Sequence, residues 1–289
     1  MTTLGQASRQ WANRPADERF VSLPDMLQHF DQIKYESNGL VIPNRRITAL
    51  PDPTDEKHKG LFITTEDGEQ FNPTHWSFGQ LAGLAGAPAG YLRNLPAPLA
   101  ADCINYGIQV ERSIEDVGVL LQRSEDENWL RAATGPRYGR IWNVDVVSSL
   151  IDRFGDGVSG EWKVPGEFGH DVVVTKANTT LYASDRDVFI FLADEKNRIE
   201  IPNRRNGQPG TLARGFFVWN SEVGSTTLGI ATFLFDYVCS NRIVWGAQEF
   251  NEIRVRHTVS APSSGLANST CPSQKSTPVM KYLTSAPST

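Results

Sequence analysis

Hydrophobic and aromatic positions are densest between Arg214 and His257, broken by polar turns, and the rest of the chain is arranged around that stretch. Phe216-Phe217-Val218-Trp219 is aromatic and β-branched, which suits a pleated, half-buried strand. Asn220-Ser221-Glu222-Val223-Gly224 supplies a turn, with Gly224 free to take positive φ. A second strand is predicted from Thr226 to Ala231, with Thr226, Leu228 and Ile230 on one face. Thr232 is placed to cap a short helix in which Phe233 and Tyr237, and Leu234 and Val238, share faces. Leu234 and Phe235 are its expected core residues, Asn241 its C-cap, and Ile243-Val244-Trp245 opens another strand. Strand, strand, helix, strand predicts an α+β fold: an antiparallel sheet with helices packed to one side, around a β-hairpin-plus-helix core.

Upstream, Ser22 and Pro24 start a helix over Leu23 to Ile33. Ser77 and Gln80 have capping-box spacing for a helix from Gln80 to Ala85, and Pro88 opens another to Leu95. A third helix is predicted from Pro98 to Asn105. Val117 to Gln122 and Trp129 to Ala133 read as strands flanking an acidic loop. Asn143 caps a helix with apolar positions at Val146, Val147, Leu150, Ile151 and Phe154, and Gly155 ends it. Further strands are expected at Val172 to Thr175, Thr180 to Ala183 and Val188 to Ala193, before a basic connector from Lys196 to Arg214. After residue 257 the chain turns to Ser, Thr, Pro and Ala. The expectation is one α+β domain over residues 1–257 and a disordered tail over 258–289.

Composition narrows the function classes. Hydrophobic residues make up 39% of the 289, yet no run has the length of a membrane span. The first twenty residues hold no apolar core of a secretory signal, and Cys103, Cys239 and Cys271 form no CxxC pair. A cytoplasmic protein without membrane partner, disulfide framework or zinc site is expected. A net charge of −5 argues against a globally basic nucleic-acid coat, although local basic grooves remain compatible with it.

Three stretches resemble the phage/plasmid-like protein family, also catalogued as domain of unknown function 932. They are Gln80-Leu81-Ala82 through Pro88, Tyr91-Leu92 and Leu95-Pro96; Leu130-Arg131-Ala132 with Arg137-Tyr138; and Asn220-Ser221-Glu222-Val223-Gly224. The third continues through Phe233-Leu234 and Cys239-Ser240-Asn241 to Arg256-His257-Thr258. Two departures stand out: Arg131-Ala132-Ala133-Thr134-Gly135 lacks the family's serine, and the tail lacks its apolar-periodic segment. At the level of the predicted core, the resemblance extends to single-strand annealing proteins of the RecT, Redβ and Erf type. It implies a mobile-element protein, DNA recombination and an oligomer.

Ile42-Pro43-Asn44-Arg45-Arg46 is echoed by Ile201-Pro202-Asn203-Arg204-Arg205, so two Pro-Asn turns each project paired guanidiniums suited to phosphates. Arg214 and Trp219 complete the candidate nucleic-acid contacts, Trp219 as a stacking surface for bases or, alternatively, as a core residue. Trp76 to Pro96 has helix-turn-helix form with Tyr91 and Arg93 exposed, but a packed helical hairpin suits its short second helix better. Asp185, Asp187 and Glu222 are the candidate metal ligands. The five histidines show no ligand spacing, Ser221 lacks a nucleophile elbow, and no phosphate-cradling Gly-rich loop occurs. The expectation is a non-enzymatic protein, without cofactor, that binds single-stranded DNA and promotes annealing, as a homo-oligomer. The alternatives are a metal-dependent enzyme on nucleic acid and an interaction protein that counters host defence.

Overall fold

The computed structural model describes residues 14–57, 59–65, 67–111, 115–166, 172–201, 210–235, 237–238, 244–245 and 248–259. In chain order its elements begin β1 (Arg19–Phe20), α1 (Leu23–Glu36), β2 (Ser37–Pro43), β3 (Thr48–Pro51), β4 (Leu61–Thr64) and β5 (Gln70–Pro73). There follow α2 (His75–Leu84), α3 (Ala89–Leu92), α4 (Ala97–Val110), β6 (Asp116–Arg123), β7 (Asn128–Thr134) and α5 (Asn143–Phe154). The last strands are β8 (Leu181–Ala183), β9 (Val188–Ile201), β10 (Gly210–Asn220), β11 (Leu228–Phe235), β12 (Tyr237–Val238), β13 (Val244–Trp245) and β14 (Gln248–Val255). The fold is α+β, with two open six-stranded sheets and helices packed against them. Two compact units divide the chain. The first holds Met1–Asp31, Ile141–Glu222 and Thr226–Thr289, and the second Gln32–Arg140 and Val223–Ser225.

In the second unit the sheet order is β2-β6-β7-β5-β4-β3, antiparallel except where β5 runs parallel to β7. Val117, Val119 and Leu121 alternate along β6 and are buried. They meet Leu81 of α2 and Ile104 and Ile108 of α4 in one apolar core. A bulge interrupts the β6–β7 ladder: Leu120 pairs with Ala132 and Leu121 with Leu130, which leaves Arg131 as the extra residue. Helix α2 starts earlier than its sequence signal. Thr74 is the N-cap, its Oγ1 accepting from the Ser77 amide, and Ser77 Oγ donates to the Leu130 carbonyl at 2.6 Å. The expected capping box is therefore inside the helix, because its serine is engaged by a neighbouring strand instead.

In the first unit the sheet order is β1-β8-β9-β10-β11-β14, antiparallel throughout. One face carries Tyr182, Phe189, Phe191, Phe217, Trp219 and Phe233, with Phe217 about equidistant from Phe189 and Phe233 at 5.6 and 5.5 Å. On the other face Phe216 packs against Phe154 of α5 and Trp162, with ring centroids 4.6 and 5.1 Å away. Residues of alternating parity on β10 thus build two separate layers.

The expected helix after Thr232 is instead the continuation of β11. Thr232 pairs with Phe216 and Phe233 with Gly215, and the ladder runs on to Phe235. Four-residue spacing fits a helix in isolation. Here Phe233 gains more as a strand residue, stacked on Phe191 at 5.7 Å. Leu234, expected in the core, is only half-buried, while Phe233 is 4% exposed. Residues 172–175 form no strand: Val173 is exposed and the Thr175 amide donates to Asn178 Oδ1 in a local turn. The basic connector is partly strand, since β9 continues through Lys196 to Ile201 and β10 begins at Gly210. The expected Asn241 cap lies outside the described residues, as does the tail from 260 onward.

Candidate functional site

Strand β2 ends at Pro43, and the next three residues form a single 3-10 turn, Asn44–Arg46. The ring of Pro43 fixes φ at −55° and sets the exit direction. Asn44 is buried and its amide donates to the Glu115 carbonyl at 2.9 Å. The Ile47 amide closes the turn on the Asn44 carbonyl at 3.0 Å, and the Ile47 side chain is buried in the core. Between these two anchors Arg45 and Arg46 project outward, both exposed. Arg45 makes no ion pair or side-chain hydrogen bond among the described residues. The echo starts at Ile201, the last residue of β9, whereas β2 runs one residue further into its motif, through Pro43. Arg204 and Arg205 themselves lie outside the described residues.

Arg214 and Trp219 are not brought together, since five positions apart on β10 places them on opposite faces. Arg214 is paired across the ladder with Asp194, its Nη2 donating to a carboxylate that is fully buried. Its guanidinium also lies over the Trp162 ring, 5.6 Å from the centroid. Trp219 is 7% exposed and its indole occupies the space beside the neighbouring strand's glycine. A Cβ at Gly229, its register partner, would come within 2.0 Å of the indole. Arg254 lies over the ring at 5.7 Å. This arrangement is aromatic cover of a strand glycine. It leaves little indole surface for a nucleobase, which is the core alternative stated above.

Neither do the three candidate metal ligands converge. Asp187 Oδ1 accepts from Arg14 Nη2 at 2.5 Å and from Ser184 Oγ at 3.1 Å. Burial alone would lower the Arg14 pKa, but its charge pairing and hydrogen bonds with Asp187 and Glu18 raise it above the ordinary value. Asp185 belongs to the same short turn and is exposed. Glu222 is 1% exposed and its Oε1 accepts from the Asn143 amide at 2.7 Å, satisfying an orphan donor at the start of α5. Among the described residues no group of three or more His, Cys, Asp or Glu side chains is placed to hold a metal ion.

The Asn220–Gly224 motif, the strongest signal in the sequence, is occupied with architecture. In the first unit Asn220 Nδ2 donates to the Ile141 carbonyl and to Asn143 Oδ1, and Ser221 Oγ donates to the Arg186 carbonyl. Trp142, not Asn143, is the N-cap of α5, because the Asn143 side chain is engaged by Asn220. In the second unit the Val223 carbonyl accepts from Trp76 Nε1 at 3.0 Å and Gln80 Nε2 at 2.7 Å. Gly224 has φ of +86°, a conformation that costs other residues dearly, with Thr134 and Gln80 within 3.4 Å of where a Cβ would be. Gln80 of the first stretch of the family resemblance, like Arg131 of the second, is thus explained by hydrogen bonding or packing.

Arg93 of the helical hairpin is turned back on α2, donating to the His75 carbonyl at 2.8 Å with its guanidinium 5.2 Å from the Phe78 centroid. Helix α3 is only one turn long, too short to read a groove. Sequence reasoning passed over Asp194 and Glu195, both buried where β9 departs from its register with β10. Two adjacent acids directly after the apolar run Val188 to Ala193 are the signal that marks them. No family model, curated protein or solved structure matches this chain.

Proposed function

We propose that this chain is a non-enzymatic, mobile-element protein that holds single-stranded DNA by its phosphates and promotes annealing or recombination. The observation that carries the reading is the Asn44–Arg46 turn. It is fixed at both ends by buried neighbours and carries two exposed guanidiniums, Arg45 with no acid paired to it among the described residues. In an acidic protein, unneutralised positive charge on a rigid turn is what a polyanion can use. The Ile201–Arg205 echo, which begins at the last residue of β9, supplies a second arginine pair by sequence. Arg214 is already paired and Trp219 buried, so the phosphate contacts are assigned to the two turns. The resemblance to phage/plasmid-like and single-strand annealing proteins points the same way.

The test is a fluorescence titration of labelled oligonucleotides, single-stranded and duplex, with and without magnesium. The reading expects preferential binding of the single strand, unaffected by magnesium, with the oligonucleotide intact afterwards. Absence of binding, or cleavage that requires magnesium, overturns it.

A further inference from the structure

The two edges of the second unit's sheet are finished differently. At one edge, β3 is sealed by a side chain of α4. Asn105 Oδ1 accepts from the Ala49 amide and Asn105 Nδ2 donates to the Ala49 carbonyl, both at 2.8 Å. The carboxamide does there what a further strand would do. At the other edge lies β2, whose only strand neighbour among the described residues is β6. Its sequence, Ser-Asn-Gly-Leu-Val-Ile-Pro, has no charged residue, and four consecutive positions, Asn38 to Val41, are exposed. Leu40 and Val41 are 41% and 58% exposed, so both faces of the strand are open. Exposed edges are ordinarily protected by Lys, a bulge or a mid-strand Pro. Here the register to β6 is unbroken and the one proline ends the strand.

We infer that β2 is a docking edge for a second copy of this chain, the two β2 strands pairing antiparallel about a two-fold axis at Leu40. The strand is seven residues long with Leu40 at its centre, so every position finds a partner. Leu40 meets Leu40, Gly39 meets Val41, Asn38 meets Ile42, and Ser37 meets Pro43 at the outer ends. Proline, lacking an amide, is tolerated at such an end. A small residue falls opposite a β-branched one, and no like charges oppose each other. That matters for a protein whose net charge of −5 otherwise repels its own copies. The interface is isologous, as in most homodimers, and would join two sheets into one continuous sheet. A seven-residue pairing buries little area, so the dimer is a reversible one of micromolar strength. The inference uses neither arginine turn, so it stands or falls apart from the nucleic-acid reading.

The test is sedimentation velocity on the full chain without DNA, from micromolar to near-millimolar concentration. Wild type is expected to pass from monomer to dimer. Leu40→Lys and Val41→Lys, at exposed positions, should weaken dimerisation by about tenfold or more with unchanged circular dichroism. The register is read by cross-linking in a background carrying Cys103→Ser, Cys239→Ser and Cys271→Ser. Leu40→Cys should form a disulfide dimer, since directly opposed residues lie within bridging distance. Asn38→Cys should cross-link with Ile42→Cys in a mixture but not with itself. Monomeric wild type over the whole range overturns the inference, even if the edge accepts an extended segment of another protein. So does a dimer that survives Leu40→Lys undiminished.

Discussion

Arg45 stands exposed on a three-residue turn with no acid paired to it among the described residues, whereas Arg214 lies on a central strand, paired with buried Asp194 and resting over Trp162. The two side chains carry the same group, and as sequence they looked equally suited to a phosphate. The difference lies in what the fold has already done with the charge. Arg214 offsets the cost of burying a carboxylate, and recruiting it to DNA would leave that carboxylate without its counter-charge. Arg45 has no such commitment, so its positive charge is available. Local basicity therefore says little about nucleic-acid binding until the internal acids have been accounted for.

Several measurements can break or sharpen this contrast. The largest effect belongs to the buried side of β10. Trp219→Ala removes the indole covering Gly229 and should cost about 3–5 kcal/mol in denaturant unfolding. DNA affinity per folded molecule should not change. A cost below about 1 kcal/mol, or selective loss of binding, would return Trp219 to the surface role. Next comes Arg214→Ala, which removes the counter-charge of buried Asp194 and leaves it the hydrogen bonds from Asn197. Because Arg214 itself is partly exposed, the expected cost is about 2 kcal/mol, less than for a fully buried pair. By contrast, replacing both Arg45 and Arg46 by alanine should leave stability within about 0.5 kcal/mol of wild type, since neither side chain is buried. A larger loss would mean that the turn is structural after all.

The smallest effect concerns a charge held by backbone rather than by a counter-ion. Asp55 accepts from the amides of Lys57, Lys59 and Gly60, which hold its pKa below the usual carboxylate value, the Lys57 amide most strongly. A pKa lowered by folding contributes stability above the unfolded-state pKa, and that contribution is lost as pH falls through the folded value. An NMR titration should give Asp55 a midpoint below the ordinary one, and Asp55→Asn should flatten the acid limb of the stability curve. A midpoint at or above the ordinary value contradicts the three-amide arrangement.

What the sequence revealed, and what it hid, follows from how local each signal is. The β10 strand, the Gly224 turn, the α5 helix with its Gly155 end and the β6–β7 pair were all legible, because adjacent residues carry those patterns. The segment after Thr232 was misread because four-residue spacing and two-residue alternation coexist there. Only the neighbouring strands, with Phe191 and Phe217, decide between them. The roles of Ser77, Asn143 and Trp219 depended on partners far along the chain, Leu130, Asn220 and Gly229, that no local rule names. The Arg45–Arg46 turn was visible from its Pro-Asn lead. That its arginines stay exposed while Arg214 is paired could be read only from the fold.

The central claim is that the exposed Arg45–Arg46 turn and its sequence echo, and not the basic and aromatic residues of β10, hold DNA phosphates. Its most direct test is a salt series of affinities for a labelled single strand, comparing wild type, Arg45→Ala with Arg46→Ala, and Arg214→Ala. Each phosphate contact on a single strand contributes about 0.7 to the slope of log affinity against log salt. The double variant should therefore flatten the slope by about 1.4, and adding Arg204→Ala and Arg205→Ala should roughly double that change. Arg214→Ala should leave the slope unchanged. An unaltered slope in the folded double variant, or a flattened one in Arg214→Ala, would contradict the account.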